Sequence, residues 1–138
     1  MEKTLFNKDG NAVAYISDDH KNTIYLWDGY PVAYVYDEQK IYGINGRHLG
    51  WMIDEIIYNN NGERVGFTYN SCPVSPAKEI TKPKKYPRSE NQPRWKALSL
   101  PKLEFHFAQE EFADFLKEGE PYNPRKKEEE EEAVEEEI

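Results

Sequence analysis

Four times within the first 68 residues the chain repeats one short pattern. It runs Leu or Ile, an aromatic, two variable residues, Asp-Gly or Asn-Gly, two variable residues, Val or Leu, Ala or Gly, and a second aromatic. The copies are LFNKDGNAVAY (Leu5 to Tyr15), IYLWDGYPVAY (Ile24 to Tyr34), IYGINGRHLGW (Ile41 to Trp51) and IYNNNGERVGF (Ile57 to Phe67). Their glycines, Gly10, Gly29, Gly46 and Gly62, stand 19, 17 and 16 residues apart. Self-similarity at so regular a spacing marks a repeat architecture, in which each unit covers a face that its neighbour leaves open.

The pairs Asp9-Gly10, Asp28-Gly29, Asn45-Gly46 and Asn61-Gly62 read as hairpin tips. Type I′ turns need positive φ at both central residues, which Asp or Asn tolerates and Gly accepts freely. Counting outward from a two-residue loop sets Phe6 against Val13, Tyr25 against Val32, Tyr42 against Leu49 and Tyr58 against Val65. One step further out, Leu5 faces Ala14, Ile24 faces Ala33, Ile41 faces Gly50 and Ile57 faces Gly66. Strand side chains alternate between faces, so one face carries the aromatics with Val or Leu, and the other a large aliphatic opposite a small residue. His48 falls on the small-residue face in this register. Pro31 falls opposite Leu26, which makes its strand a poorly paired edge there. An isolated hairpin is marginal in water, whereas several can close on one another. The expected fold is therefore all-β: eight short strands over residues 4–68 as four hairpins with pseudo-four-fold symmetry, with Leu5, Ile24, Ile41 and Ile57 meeting near the axis.

After Cys72 the composition changes. Six prolines lie between residues 73 and 101, and residues 73–102 hold eight basic against two acidic side chains. Such a stretch is extended and has no core of its own. It is expected to be irregular and to strap the hairpin domain through Trp95, Leu98 and Leu100. Leu103, Phe105 and Phe107 alternate as in a short strand; Phe112, Phe115 and Leu116 follow helical spacing, giving a helix at about 109–117 with Gly119 as its stop. The end, RKKEEEEEAVEEEI, is a charge block expected to be a solvated tail. Three parts result: hairpin domain 1–72, strap with helix 73–124, and acidic tail 125–138.

The segments YLWDGYPVAY, IYGINGRHLGWM and IIYNNNGERVGF, in that order, and the Pro-rich basic stretch leading to EEFADFL resemble the four-fold β-flower family of small bacterial proteins. The resemblance covers about residues 4–118 and is strongest from Ile24 to Phe67. It implies four hairpins around a pseudo-four-fold axis, and no catalytic residues. The end from Lys126 onward has no counterpart in that pattern.

The formal net charge of −8 argues against non-specific nucleic-acid binding and against an anionic membrane surface. Cys72 is the only cysteine, so no internal disulfide is expected. The start MEKTLFNKDG lacks a signal-peptide core and no run is long enough for a membrane span, so a cytoplasmic location is expected. No phosphate loop, zinc-protease motif, paired Cys/His spacing or serine elbow is present. Neither a catalytic residue, nor a metal, nor a cofactor is therefore assigned, and the sequence leaves the oligomeric state open. Asp9, Asp28 and the matching asparagines are explained by their turns, and His48 and Cys72 as structural residues. The eight repeat aromatics, Phe6, Tyr15, Tyr25, Tyr34, Tyr42, Trp51, Tyr58 and Phe67, read either as core or as slots for sugars or quaternary amines. The candidate ligand or partner surface is Trp27, Tyr30, Tyr34, Arg47 and His48. The expected function is a non-catalytic interaction or scaffold module with a protein partner; the alternative is a small-ligand or carbohydrate binder.

Overall fold

The computed structural model of the protein describes residues 2–121, so the expected acidic tail at 125–138 lies outside the described residues. Eight strands follow in order: β1 (Lys3–Phe6), β2 (Ala12–Ile16), β3 (Thr23–Leu26), β4 (Pro31–Tyr36), β5 (Lys40–Gly43), β6 (His48–Ile53), β7 (Ile56–Asn59) and β8 (Arg64–Phe67). Each pairs antiparallel with the next, and β8 returns to β1 through Phe6 and Phe67 to close a barrel. β4 pairs with both β3 and β5, so Pro31 begins an interior strand instead of marking an edge.

The hairpin tips differ from the expected type I′ turns. Only the glycines have positive φ, at +82°, +99°, +93° and +80° in chain order. Each glycine N–H donates to the carbonyl three residues back: Gly10 to Asn7, Gly29 to Leu26, Gly46 to Gly43 and Gly62 to Asn59. That is a type I turn followed by a left-handed glycine, one residue longer than a type I′ loop. The extra residue shifts the inner register, so Phe6 faces Ala12, Tyr25 faces Pro31, Tyr42 faces His48 and Tyr58 faces Arg64. A bulge at Val13, Val32, Leu49 and Val65 then takes up one residue and restores the outer pairs, Leu5 with Ala14 through Ile57 with Gly66. A one-residue slip exchanges faces. Val32, Leu49 and Val65 accordingly pack in the main core with Leu5 and Ile24, with Val13 against it, while His48 joins the aromatic face beside Tyr42 and Trp51.

The small residues make room inside the barrel. Leu5, Ile24, Ile41 and Ile57 are fully buried in one cluster with Ala14, Ala33, Phe112, Phe115 and Leu116. The last three belong to the helix α1 (Phe112–Lys117), which packs on β2, β4 and β8. A Cβ placed on Gly66 would lie 2.5 Å from the Phe112 ring, and one on Gly50 would lie 3.0 Å from the Phe115 ring. The helix starts three residues later than its spacing suggests. Ala108 N–H still donates to the Arg64 carbonyl, which holds the incoming chain extended along β8. Glu111 is likewise extended, at φ −71° and ψ 144°.

On the other face the aromatics pair between hairpins. Tyr15 stands opposite Tyr25, Tyr34 opposite Tyr42, Trp51 opposite Tyr58 and Phe6 opposite Phe67. All eight are buried, so they are core. Aliphatic packing thus joins the two strands of a hairpin, and aromatic packing joins hairpin to hairpin.

From Pro73 to Lys102 the chain has no helix or strand. It is nonetheless fastened at intervals of nine residues. The N–H groups of Ala77, Tyr86, Trp95 and Glu104 donate to the carbonyls of Gly10, Gly29, Gly46 and Gly62 at 2.8, 2.9, 2.8 and 2.8 Å. A Cβ on Gly29, Gly46 or Gly62 would collide with the backbone of Lys84, Pro93 or Lys102, so the tip glycines serve this close approach as well as the turn. The fastening is by main chain, contrary to the expected side-chain docking. Trp95, Leu98 and Leu100 stay exposed. Phe105 is 85% exposed, and the expected strand reduces to a single parallel bridge between Arg64 and Phe107.

Phe112→Ala should cost about 3–5 kcal/mol of stability, and Gly66→Ala about 1–3 kcal/mol from overpacking. In the double variant the new methyl enters space vacated by the ring, so the losses should fall short of their sum by about 1 kcal/mol or more. Urea denaturation of the four proteins measures this cycle, and strict additivity would contradict the packing described.

Candidate functional site

Neighbouring hairpin tips lie beyond the last paired residues of the barrel and need ties of their own. Between the first and second tips, Trp27 N–H donates to the Val13 carbonyl at 2.9 Å. Between the second and third, Ile44 N–H donates to the Val32 carbonyl at 3.2 Å. Between the third and fourth the tie is a side chain: Asn60 Nδ2 donates to the carbonyls of His48 at 3.0 Å and Leu49 at 3.1 Å. Asn60 occupies the repeat position held by Lys8, Trp27 and Ile44. A cavity of about 310 Å³ lies between these two tips. Tip residues Arg47, His48 and Asn59 to Asn61 line it, with Trp95, Lys96 and Leu98 above and Glu110, Phe115 and Glu118 from the helix side.

Several of its walls are fixed. Trp95 is held at both ends of its peptide unit, by its N–H to Gly46 and by the Tyr42 hydroxyl donating to its carbonyl at 3.0 Å. Its indole remains 60% exposed, with the Arg47 guanidinium 5.7 Å from the ring centre. Asn59 Nδ2 donates to Glu110 Oε1 and Glu63 Oε1, both at 3.0 Å. Asn60 Oδ1 is buried and has no hydrogen-bond partner among the described residues.

The five residues singled out from sequence do not form one surface. Arg47 and His48 meet at this cavity. Trp27 lines a different cavity with Val13, Ile80 and Ala113, and packs edge-on against Tyr15 at 5.9 Å. Tyr30 is exposed and stacks on Tyr86 at 4.1 Å. Tyr34 is buried against Tyr42. Asn60, Trp95, Glu110 and Glu118 were not foreseen; the run Asn59-Asn60-Asn61 at a position otherwise apolar or basic was the available signal.

Elsewhere the basic residues of the Pro-rich segment are used internally. Lys82 Nζ lies 4.2 Å from the Tyr15 ring centre and 5.3 Å from that of Trp27, and Glu2 binds both Lys82 and Lys85 at 2.7 Å. The Lys82 ammonium, with Lys85 beside it, holds the Glu2 carboxyl below the usual carboxylate range. Arg94 lies 3.8 Å over Tyr36, and Arg88 donates to Thr23 Oγ1 at 2.8 Å. Arg88 also lies 5.7 Å from the Tyr34 ring centre, so cations fix the segment against the Tyr15–Tyr25 and Tyr34–Tyr42 pairs. Among the described residues no group of three or more His, Cys, Asp or Glu is placed to hold a metal ion. Cys72 is half-buried, its Sγ 3.6 Å from the Asn7 carbonyl.

His48 is buried, and its Nδ1 accepts from Leu98 N–H at 3.3 Å. Nε2 makes no hydrogen bond among the described residues. Burial pushes the imidazole below its ordinary range; the nearby Gly50 backbone pulls the other way without meeting hydrogen-bond geometry at Nε2, and the charge of Lys40 adds to the depression. Protonation therefore favours the unfolded chain, where His titrates near pH ~6.5, and stability falls as pH drops through that value. Urea midpoints between pH 7.5 and 5.5 should decline, and His48→Asn, which keeps an acceptor for Leu98, should flatten the decline. An equal slope in both proteins would place the titrating group elsewhere.

No curated protein and no solved structure matches the chain. The model of one family, described as 4-fold beta flower protein, matches residues 3–116. The span takes in the closed hairpin barrel, the glycine-bearing tips and the helix side chains seated against Gly50 and Gly66, and the chain belongs to the 4-fold beta flower protein family.

Proposed function

We propose that the protein is a non-catalytic interaction module, in which four equivalent hairpins gather about a common axis and a Pro-rich strap presents a docking face to another protein. One observation carries this reading. The eight repeat aromatics are buried, whereas Leu98, Leu100, Phe105 and Phe107 stand exposed on a backbone fastened at Trp95 and Glu104. Slots for a ligand between those eight rings are closed. Large exposed apolar side chains on a fixed support are characteristic of recognition surfaces, because their exposure brings no gain to the free molecule.

The charge nearby indicates the partner. Lys96 and Lys102 flank Leu98 and Leu100 in the chain and are exposed. An apolar run flanked by lysines suits an acidic protein segment with apolar anchors. No helix among the described residues is long and apolar enough to cross a membrane. Our reading places the module in the cytoplasm.

Leu100→Ser with Phe105→Ser should leave stability within about 0.5 kcal/mol, since both side chains are exposed. Capture on the full-length chain, followed by cross-linking, should retain a protein that contacts the ridge through an acidic segment. Its retention should fall at high salt and be lost in the double variant. A retained protein indifferent to the substitutions would reject the ridge as the docking face.

A further inference from the structure

We propose that the gap between the third and fourth hairpin tips is a binding site for an uncharged saccharide of one or two rings. The site borders the apolar ridge and shares Lys96 and Leu98 with it, while Leu100 and Phe105 lie outside it. Backbone N–H groups tie the first tip to the second and the second to the third, whereas the Asn60 side chain ties the third to the fourth. The cavity there measures about 310 Å³. That volume is at the lower end of ligand pockets, about 300–1,000 Å³.

The chemistry of the walls selects the ligand. Trp95 offers an exposed indole on a backbone held by Gly46 and Tyr42. The apolar C–H face of a pyranose ring packs well on such a surface. Arg47 and Lys96 supply donors, Glu110 and Glu118 supply acceptors, and their charges cancel. A ligand of either net charge gains nothing from that balance. Hydroxyl groups, each both donor and acceptor, can use both kinds of wall. Asn60 Nδ2 is committed to the carbonyls of His48 and Leu49, which fixes this wall of the site.

The test is saturation-transfer NMR and calorimetry of the full-length protein with maltose, cellobiose, lactose and N,N′-diacetylchitobiose at millimolar concentration. At least one should bind saturably, with transfer to its ring protons and a change in tryptophan fluorescence. Trp95→Ala removes an exposed ring and leaves the backbone bonds in place, so it should fold with unchanged melting temperature and weaken binding about tenfold or more. Leu100→Ser with Phe105→Ser should leave sugar binding intact. Failure of all four sugars to bind overturns the proposal. So does binding that survives Trp95→Ala, or stronger binding of glycine betaine or a free amino acid, which would assign the mixed charges to a zwitterion.

Discussion

An eight-stranded barrel has an interior that side chains must fill, and here part of the filling comes from outside the barrel sequence. Ala14, Ala33, Gly50 and Gly66 leave too little volume of their own beside Leu5, Ile24, Ile41 and Ile57, and Phe112, Phe115 and Leu116 complete it. The barrel and the helix are therefore parts of one core. The intervening segment, which has no core, must be long enough to bring the helix back, and its route over the tips follows from that requirement.

The two faces of the hairpins divide the work of assembly. Inner aliphatic pairs hold each hairpin together, and outer aromatic pairs attach it to the next. The inner Val or Leu bulge makes this division possible. Without it, the three-residue loop would carry its extra residue into the outer register and turn Ala14 and its counterparts toward the wrong side. Turn and bulge compensate one another in all four hairpins, which is why each copy of the repeat keeps both a glycine and a branched residue three positions on.

Much of this is legible in the chain itself. The period, the Asp/Asn-Gly pairs and the large-small pairing give the hairpins, the outer register and the four buried aliphatics directly. The inner register is not legible, because Asp-Gly and Asn-Gly serve both a two-residue loop and a three-residue loop ending in a left-handed glycine. The helix is legible in Phe112, Phe115 and Leu116, but its docking on the barrel core is not, since small residues signal only that something approaches. The candidate site was half visible. Arg47 and His48 sit beside a recognisable tip, whereas Trp95 and Glu110 arrive from distant sequence. The nine-residue spacing of the Pro-rich segment left no trace in composition, as its contacts are made by amide groups that every residue except proline possesses.

That last point reaches beyond the single chain. Ala77, Tyr86, Trp95 and Glu104 are as unlike as four residues can be, yet each docks on a glycine carbonyl in the same manner. These four main-chain attachments therefore do not read side-chain identity, whereas the contacts of Lys82, Lys85, Arg88 and Arg94 do. Outward-facing residues of the segment can be exchanged through evolution with little effect on how the molecule holds together, much as antibody loops vary on a constant framework. The hairpins then serve as a chassis on which the outward side chains of the wrapping segment can change, and with them what the surface recognises.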